Sequence, residues 1–183
     1  MSDEILYQKY VQGDASAADI LVKQYAESLV LYIEGYIGDY HDAEDLMIEA
    51  FAQIFAKARP IHEDGCFKAY LYKTGKNLAC RYKKKQKRIW FSFEELTFEL
   101  QDVKENEKII FKNEQNKQLY LALKRIKKEY QEALFLVYFE GMKYTDAAHI
   151  MGKSVEQITN LVFRGKKSLK SVLEQEGFEY EVG

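Results

Sequence analysis

A single proline, Pro60, stands in a chain of 183 residues. Because proline is the residue that helix interiors tolerate least, its scarcity leaves most of the chain free to form helices. Ten glycines and an abundance of Lys, Glu, Leu and Ala favour helix as well. Apolar residues make up 47% of the sequence, which is enough to bury the core of one domain or of two small ones. The sequence therefore predicts an all-α protein.

Several classes of protein are disfavoured by what the sequence lacks. No run reaches the roughly eighteen apolar residues of a membrane span, and the first residues, MSDEILYQKY, lack the pattern of a signal peptide. We therefore expect a cytoplasmic protein without a membrane span. The two cysteines and three histidines show no CxxC or HxxxH spacing, so we interpret them as packing residues. Without a catalytic constellation or a glycine-rich phosphate loop, we expect no enzyme, no cofactor and no metal site.

The basic segment, residues 67–88, reads FKAYLYKTGKNLACRYKKKQKR and carries nine Lys or Arg with no Asp or Glu. Its apolar or small residues recur at helical spacing, at Phe67, Tyr70, Leu71, Thr74, Leu78 and Tyr82. This pattern predicts a helix with one packing face and cationic remaining faces. In a chain of net charge -2, such a block indicates a phosphate-binding surface, although a solvated basic helix fits the charge equally well.

Upstream of this segment the sequence predicts three helices. A short helix at residues 3–12 is followed by a longer one that begins after Ser16 as N-cap and ends at Gly38. Asp42 then caps a third helix, whose first half is acidic at Asp42, Glu44, Asp45 and Glu49. Carboxylates at a helix N-terminus suit its dipole, and capping alone explains two of the four. Acidic charge that continues to Glu49 also provides a docking site for a basic partner.

Residues 94–108 change the character of the chain. Six acidic residues and one Lys lie between Glu94 and Glu107, with weak apolar periodicity. Charge repulsion would keep such a segment extended, so we interpret it as a linker. The sequence thus predicts two small helical domains, residues 1–93 and 109–183, joined by an acidic linker.

The second domain carries helix-turn-helix spacing. Helical periodicity over residues 109–128 and a buried helix at Gln131–Phe139, ended by Gly141, lead into residues 144–173. There, small Ala148 permits close helix approach, Gly152 makes the turn, and Ile158 returns to the core. Ser154 with Gln157 forms a capping box that starts the second helix. A third section, residues 159–173, supplies Arg164, Lys166, Lys167 and Lys170.

Three motifs in this order resemble sigma factors of the extracytoplasmic-function (ECF) type, a branch of the sigma-70 family, over nearly the whole chain. DAEDLMIEAFAQIF resembles the family's DAEDLVQEVFLRAW, and FKAYLYKTGKNLACRYKKK resembles its FRAWLFRIARNLALDHLRR. EALFLVYFEGMKYTDAAHIMGKSVEQITNLVFRGKKSLK resembles its C-terminal helix-turn-helix. The resemblance implies binding to core RNA polymerase and promoter DNA, with an anti-sigma factor as a further candidate partner. It also implies that the acidic linker threads the RNA path of the polymerase, although a solvated tether is equally compatible.

The resemblance assigns roles to three groups of residues. The segment that docks on the polymerase clamp helices contains Asp42, Glu44, Asp45, Leu46 and Glu49. The segment that holds the melted minus-ten strand contains Lys68, Tyr72, Lys73, Lys76, Asn77, Arg81, Lys83 and Lys84. The segment that recognises the minus-thirty-five element contains Gln157, Thr159, Asn160, Phe163, Arg164, Lys166 and Lys167.

Several of these roles stay open at the level of sequence. Tyr72 is a candidate to stack on an unpaired base, an interaction worth about 1–3 kcal/mol, whereas Tyr70 and Tyr82 fit the packing face better. Arg164 suits a phosphate contact and a base contact equally. Where the family commonly has VGTVKSRL, this chain has VEQITNLV at residues 155–162. The family's minus-thirty-five preference is therefore not transferable, and Glu156 fits either a cytosine contact or helix stabilisation.

Two other functions compete with this interpretation. A stand-alone helix-turn-helix regulator explains residues 144–170 but leaves the acidic and basic helices without a role. A small nucleic-acid enzyme needs a carboxylate cluster or metal site near the basic segment, where only Glu63 and Asp64 are available. We therefore expect a sigma factor that directs promoter recognition, melting and transcription initiation.

Overall fold

The computed structural model describes residues 1–61, 66–93 and 114–177, and within these ranges every regular element is a helix. The all-α prediction is confirmed. The chain divides into two compact units, Met1–Asn106 and Glu107–Gly183, and each is described by itself. The predicted acidic linker, residues 94–108, lies outside the described residues, so the predicted three-part division stays a prediction.

The first unit contains four described helices: α1 (Asp3–Val11), α2 (Ala15–Ile37), α3 (Tyr40–Lys57) and α4 (Cys66–Phe93). Helix α2 ends at Gly38, which has φ 75° as predicted for a left-handed C-cap. The two predicted N-caps were placed too late. Asp14 caps α2 by accepting from the Ser16 amide, and Asp39 caps α3 by accepting from the Asp42 amide.

The core of the first unit lies where α2 packs against α3 and α4. The apolar stripe of α2 is buried at Leu21, Tyr25, Leu29 and Ile33, and α4 contributes Phe67, Leu71, Tyr72 and Leu78. Helix α1 is tied to the end of α3, because the Tyr10 hydroxyl donates to the Phe55 carbonyl at 3.1 Å. At Gly75 the two long helices approach closely: a Cβ there would lie 3.0 Å from Leu29 Cδ1.

The second unit contains α5 (Glu114–Lys124), α6 (Lys128–Leu134), α7 (Tyr144–Met151) and α8 (Val155–Gln175). The predicted buried helix at Gln131–Phe139 is the end of α6 continued by a π-helical turn, Phe135–Phe139, and Gly141 follows with φ 62°. Its core includes Leu123, Leu136, Ile150 and Ile158. The predicted start of the helix over residues 109–128 falls partly on 109–113, which lie outside the described residues.

The helix-turn-helix is formed by α7, a turn at Gly152 with φ 64°, and α8. The capping box is present as predicted: Ser154 Oγ accepts from the Gln157 amide, and Gln157 Oε1 accepts from the Ser154 amide. The separate third section predicted for residues 159–173 was wrong. These residues continue α8 without a break, since the stretch 159–173 contains neither proline nor a left-handed glycine that would end the helix.

Candidate polymerase and nucleic-acid interfaces

The acidic half of α3 presents most of its carboxylates to solvent. Asp45 and Glu49 are exposed, and Glu44 lies beside His41, with Nδ1 and Oε2 3.6 Å apart. Asp42 is partly buried and accepts a hydrogen bond from the Tyr82 hydroxyl of α4. An acidic surface of three outward carboxylates therefore lies along this end of α3.

Leu46 does not belong to this surface. It is only 9% exposed and lies on the buried side of α3 with Ala43 and Ala50, three and four residues away. The side chain therefore packs in the core, which contradicts the prediction that Leu46 contacts polymerase directly.

The basic helix α4 is divided along its length. In its first half, the Lys68 and Lys76 ammonium groups lie 5.5 and 5.8 Å from the ring centroids of Tyr25 and Tyr36 on α2. These lysines and Lys73 are partly buried. From Asn77 onward the polar side chains open to solvent, and the exposed members are Asn77, Arg81, Lys83, Lys84, Lys85 and Lys87. The most accessible cationic surface is therefore the second half of the helix.

Tyr72 is a second correction. Its side chain is fully buried, its hydroxyl lies 2.8 Å from Ser28 Oγ, and its ring centroid lies 5.1 Å from that of Tyr32. Because α4 packs against both α2 and α3, its buried face is wide enough to include this residue. Tyr72 therefore cannot stack on a base in this conformation, contrary to the prediction.

Tyr82 joins the acidic and basic helices. Burial raises the pKa of Tyr82, and its hydrogen bond to Asp42 raises the pKa further. Gln86 Nε2 donates to the same hydroxyl at 2.9 Å. The protonated phenol donates to Asp42, so the contact fixes Asp42 relative to α4.

On α8 the predicted residues lie on the exposed side of the helix. Gln157, Thr159, Asn160 and Arg164 are exposed, and Phe163 is 61% exposed. The Thr159 hydroxyl donates to the Val155 carbonyl at 2.9 Å, which turns this group back to its own helix. The structure thus leaves these five minus-thirty-five candidates accessible along one helix.

The lysines of α8 are placed by aromatic rings. The Lys167 ammonium lies 4.7 Å from the Phe163 ring centroid, and that of Lys166 lies 4.4 Å from the Tyr138 centroid. A hydrogen bond with Tyr138 raises the pKa of Lys166. Tyr138, 51% exposed on the π-helical turn, was not predicted as part of this site, because no sequence spacing relates it to α8.

No group of three or more His, Cys, Asp or Glu in the described ranges is arranged to hold a metal ion. In the same ranges, no helix combines the length and apolar character that a membrane span needs. The surfaces described above consist of charged, amide and aromatic side chains of α3, α4 and α8.

Comparison with family models matches both units. Residues 21–89 match sigma-70 region 2, which spans most of α2, all of α3 and most of α4. Residues 116–169 match sigma-70 region 4, which spans most of α5 through most of α8. The two regions occur in the order that the sequence motifs predicted.

Relatives of known function share nearly the full length. The RNA polymerase sigma-H factor of Pseudomonas aeruginosa is 25% identical over 181 residues, covering 94% of both chains. The ECF RNA polymerase sigma-E factor of Escherichia coli K12 is 22% identical, covering 92% of this chain and 93% of that one.

The fold is similar to that of solved sigma factors. The sigma factor RpoE of Bartonella quintana, solved with the anti-sigma factor NepR, matches with a TM-score of 0.66 and 20% identity, covering 85% of this chain and 96% of that one. CnrH, solved with the cytosolic domain of CnrY, matches with a TM-score of 0.63 and 19% identity, covering 94% and 97%. With both regions present in order, the chain belongs to the sigma-70 family and is an ECF sigma factor, a non-enzymatic protein that directs RNA polymerase to promoters.

Proposed function

We propose that the two predicted domains divide the work of initiation. Residues 1–93 dock on core RNA polymerase through α3 and hold the melted minus-ten strand on α4. Residues 109–183 place α8 on the minus-thirty-five duplex. The protein works in the cytoplasm, with core polymerase and promoter DNA as its partners. The observation that carries this proposal is that the acidic and the cationic surfaces lie on separate helices, α3 and α4, within one matched region.

The docking role rests on the outward carboxylates of α3. The capping residue of α3 is Asp39. The three carboxylates lie more than one helical turn after it, at Glu44, Asp45 and Glu49, so capping does not account for them. Exposed charges of one sign guide association with an oppositely charged partner surface and suppress wrong partners. The Tyr82 hydroxyl donates to Asp42, which fixes this partly buried carboxylate beside the three outward ones.

The strand-holding role rests on the second half of α4. Asn77, Arg81 and Lys84 recur at spacings of four and three residues, so they follow one side of the helix. A line of polar side chains, two of them cationic, suits a single strand, whose phosphates contribute salt-dependent affinity. Because Tyr72 is buried, stacking by this residue has no part in the proposal.

Regulation by a protein inhibitor fits the structural likeness. Both solved structures compared above contain a bound partner, which in one of them is the anti-sigma factor NepR. An anti-sigma factor that covers α3 or α4 would compete with polymerase or DNA for charged surfaces. We include such a protein among the candidate partners.

Charge reversal on α3 tests the docking role. The variant Glu44→Lys with Asp45→Lys should bind core RNA polymerase at least about tenfold more weakly, because attraction becomes repulsion at two outward-facing positions. A matched control, Asp19→Lys with Glu27→Lys, makes the same charge change at exposed positions of α2 and should bind normally. Binding is measured by pull-down and by fluorescence anisotropy of labelled protein.

Unchanged core binding by a folded Glu44→Lys, Asp45→Lys protein would remove α3 from the proposal.

The isolated wild-type protein should bind duplex promoter DNA poorly, since its net charge of -2 gives little long-range attraction. Tight, sequence-specific duplex binding without polymerase would favour the stand-alone regulator instead.

A further inference from the structure

The outward side of the first half of α8 carries an unusual set of side chains for a DNA-binding helix. Ile158, Val162 and Gly165 face the core, and Glu156, Asn160 and Phe163 lie on the opposite, exposed side. The sequence from Val155 to Phe163 contains no Lys or Arg. Since Arg and Lys are the commonest partners of guanine, the first two turns of α8 lack the usual means of recognising that base.

Two polar side chains in these turns form hydrogen bonds with the backbone at the start of their own helix. Gln157 Oε1 accepts from the Ser154 amide at 2.8 Å, which holds the oxygen at the start of the helix, so the side chain can turn mainly its NH₂ donor toward DNA. The Thr159 hydroxyl donates to the Val155 carbonyl, so this residue offers mainly its methyl group. Adenine recognition needs a donor and an acceptor together, which Asn160, exposed on the next position, can supply.

Phe163 supplies an apolar group at the centre of the same surface. Its ring is 61% exposed and lies against the Lys167 ammonium, 4.7 Å from the ring centroid. This cation–π contact limits where the ring can turn and places a positive charge beside it, where a phosphate is expected. Among the four bases, only thymine presents a methyl group in the major groove for such a ring.

We propose that α8 recognises an A·T-containing step of the minus-thirty-five duplex, with Asn160 on adenine and Phe163 on the methyl group of a neighbouring thymine. Asn160 and Phe163 are three residues apart, a rise of about 4.5 Å along the helix. This rise is close to the ~3.4 Å spacing of base pairs, so the two side chains reach adjacent pairs. The inference rests on the proposed function, since it assumes that α8 enters the major groove.

The first experiment selects binding sites from a DNA library and then replaces single bases of the selected site with analogues that lack one group. Holoenzyme reconstituted from the full chain and core RNA polymerase selects duplexes from a library randomised in both promoter windows. We expect an adjacent adenine and thymine in the upstream window. Replacing that thymine with deoxyuridine removes only its methyl group and should weaken binding about fourfold. Replacing the adenine with 7-deazaadenine removes the N7 acceptor and should weaken binding at least about fivefold.

Two variants assign each effect to its residue. Phe163→Ala should abolish the sensitivity to deoxyuridine and keep the sensitivity to 7-deazaadenine. Asn160→Ala should do the reverse. The control Phe139→Ala removes another exposed Phe of the same unit, 40% exposed on the π-helical turn, and should keep both sensitivities.

The outcomes separate this inference from the proposed function. Holoenzyme that forms but selects guanine at these positions, or a Phe163→Ala protein that stays sensitive to deoxyuridine, overturns the inference alone. If Phe163→Ala weakens only polymerase or anti-sigma binding, the ring serves a protein contact and the inference is wrong. A chain that ignores core polymerase yet selects the same A·T step by itself overturns the proposed function alone. Selection of no duplex in either form overturns both.

Discussion

Helices α4 and α8 are both cationic, but they use their aromatic and charged residues in opposite ways. In α4 the aromatic Tyr72 is buried, and the exposed surface of the second half is occupied by cations. In α8 the aromatic Phe163 is exposed, and the first two turns carry no cation. Cations that follow one side of a helix suit a charged backbone of any sequence, whereas amide and apolar groups suit base edges. Two basic helices of one chain can therefore differ in what they recognise.

The largest expected difference concerns these two aromatic residues. Tyr72→Ala should lower the free energy of unfolding of the first unit by about 3–5 kcal/mol, because it empties a fully buried site. Phe163→Ala should change stability by less than about 0.5 kcal/mol, since the ring is mostly exposed. Urea denaturation followed by circular dichroism measures both. Equal losses would show that the two rings do not differ in role.

A second comparison tests the two halves of α4. Arg81→Ala with Lys84→Ala should reduce permanganate reactivity of opened thymines while leaving holoenzyme assembly intact. The slope of log affinity for single-stranded DNA against log salt should become shallower by about 0.7 for each phosphate that the variant no longer neutralises. Lys68→Ala with Lys76→Ala removes the same charge from side chains that lie over tyrosine rings, and it should have the smaller effect. If that control is the more damaging pair, the accessible surface is wrongly assigned.

A third comparison uses Gly75 of α4 and Gly165 of α8, where each helix packs closely against a neighbouring helix. A Cβ at Gly165 would lie 3.2 Å from Tyr130 Cβ and 3.3 Å from Leu134 Cγ, atoms held close to the α6 backbone. Overpacking against such fixed atoms costs about 1–3 kcal/mol, and the helix-propensity gain offsets about 1 kcal/mol of it, so Gly165→Ala should lower stability by up to about 2 kcal/mol. A Cβ at Gly75 would meet the ends of the Leu29 and Ile33 side chains, which can move.

For Gly75→Ala, the gain in helix propensity of about 1 kcal/mol should offset the crowding and leave stability within about 0.5 kcal/mol of wild type. Thermal or urea unfolding of each variant, compared with wild type, decides the order. A Gly75→Ala protein that is the less stable of the two would contradict the distinction between movable and fixed neighbours.

The last prediction concerns the cap at the start of α8. Ser154→Ala removes the side-chain acceptor for the Gln157 amide and should lower stability by about 1 kcal/mol. Ser154→Asp retains an acceptor and should restore most of the loss. A Ser154→Ala protein as stable as wild type would mean that the turn at Gly152, rather than the cap, fixes where α8 begins.

Local signals in the sequence predicted several helix ends and the turn of the helix-turn-helix well. The left-handed glycines at Gly38, Gly141 and Gly152 and the capping box at Ser154 depend on a few neighbouring residues, so they are visible without knowledge of the fold. The caps at Asp14 and Asp39 were missed because later residues, Ser16 and Asp42, are equally good caps by type. Only the backbone geometry selects between them.

Features that depend on contacts between helices could not be predicted. Tyr72 is buried because α4 packs against two helices, which widens its buried face beyond a single stripe. Lys68 and Lys76 lie over tyrosines of α2, roughly forty residues earlier in the chain, and nothing within α4 indicates this. The division of α4 into two halves therefore emerges only from the fold.

Helix α8 is long and unbroken, so a small tilt about one end displaces the side chains that lie far from that end. Its 21 residues form one rod of about 31 Å. The far end is held by buried Leu173 and, just beyond the helix, by an ion pair between Arg125 and Glu176. Over the roughly 15 Å that separate Phe163 from Leu173, a tilt of about 4° moves the ring by about 1 Å. On the proposed function, residues at this far end would set where Phe163 meets the DNA, so substitutions there would alter promoter choice without touching a base.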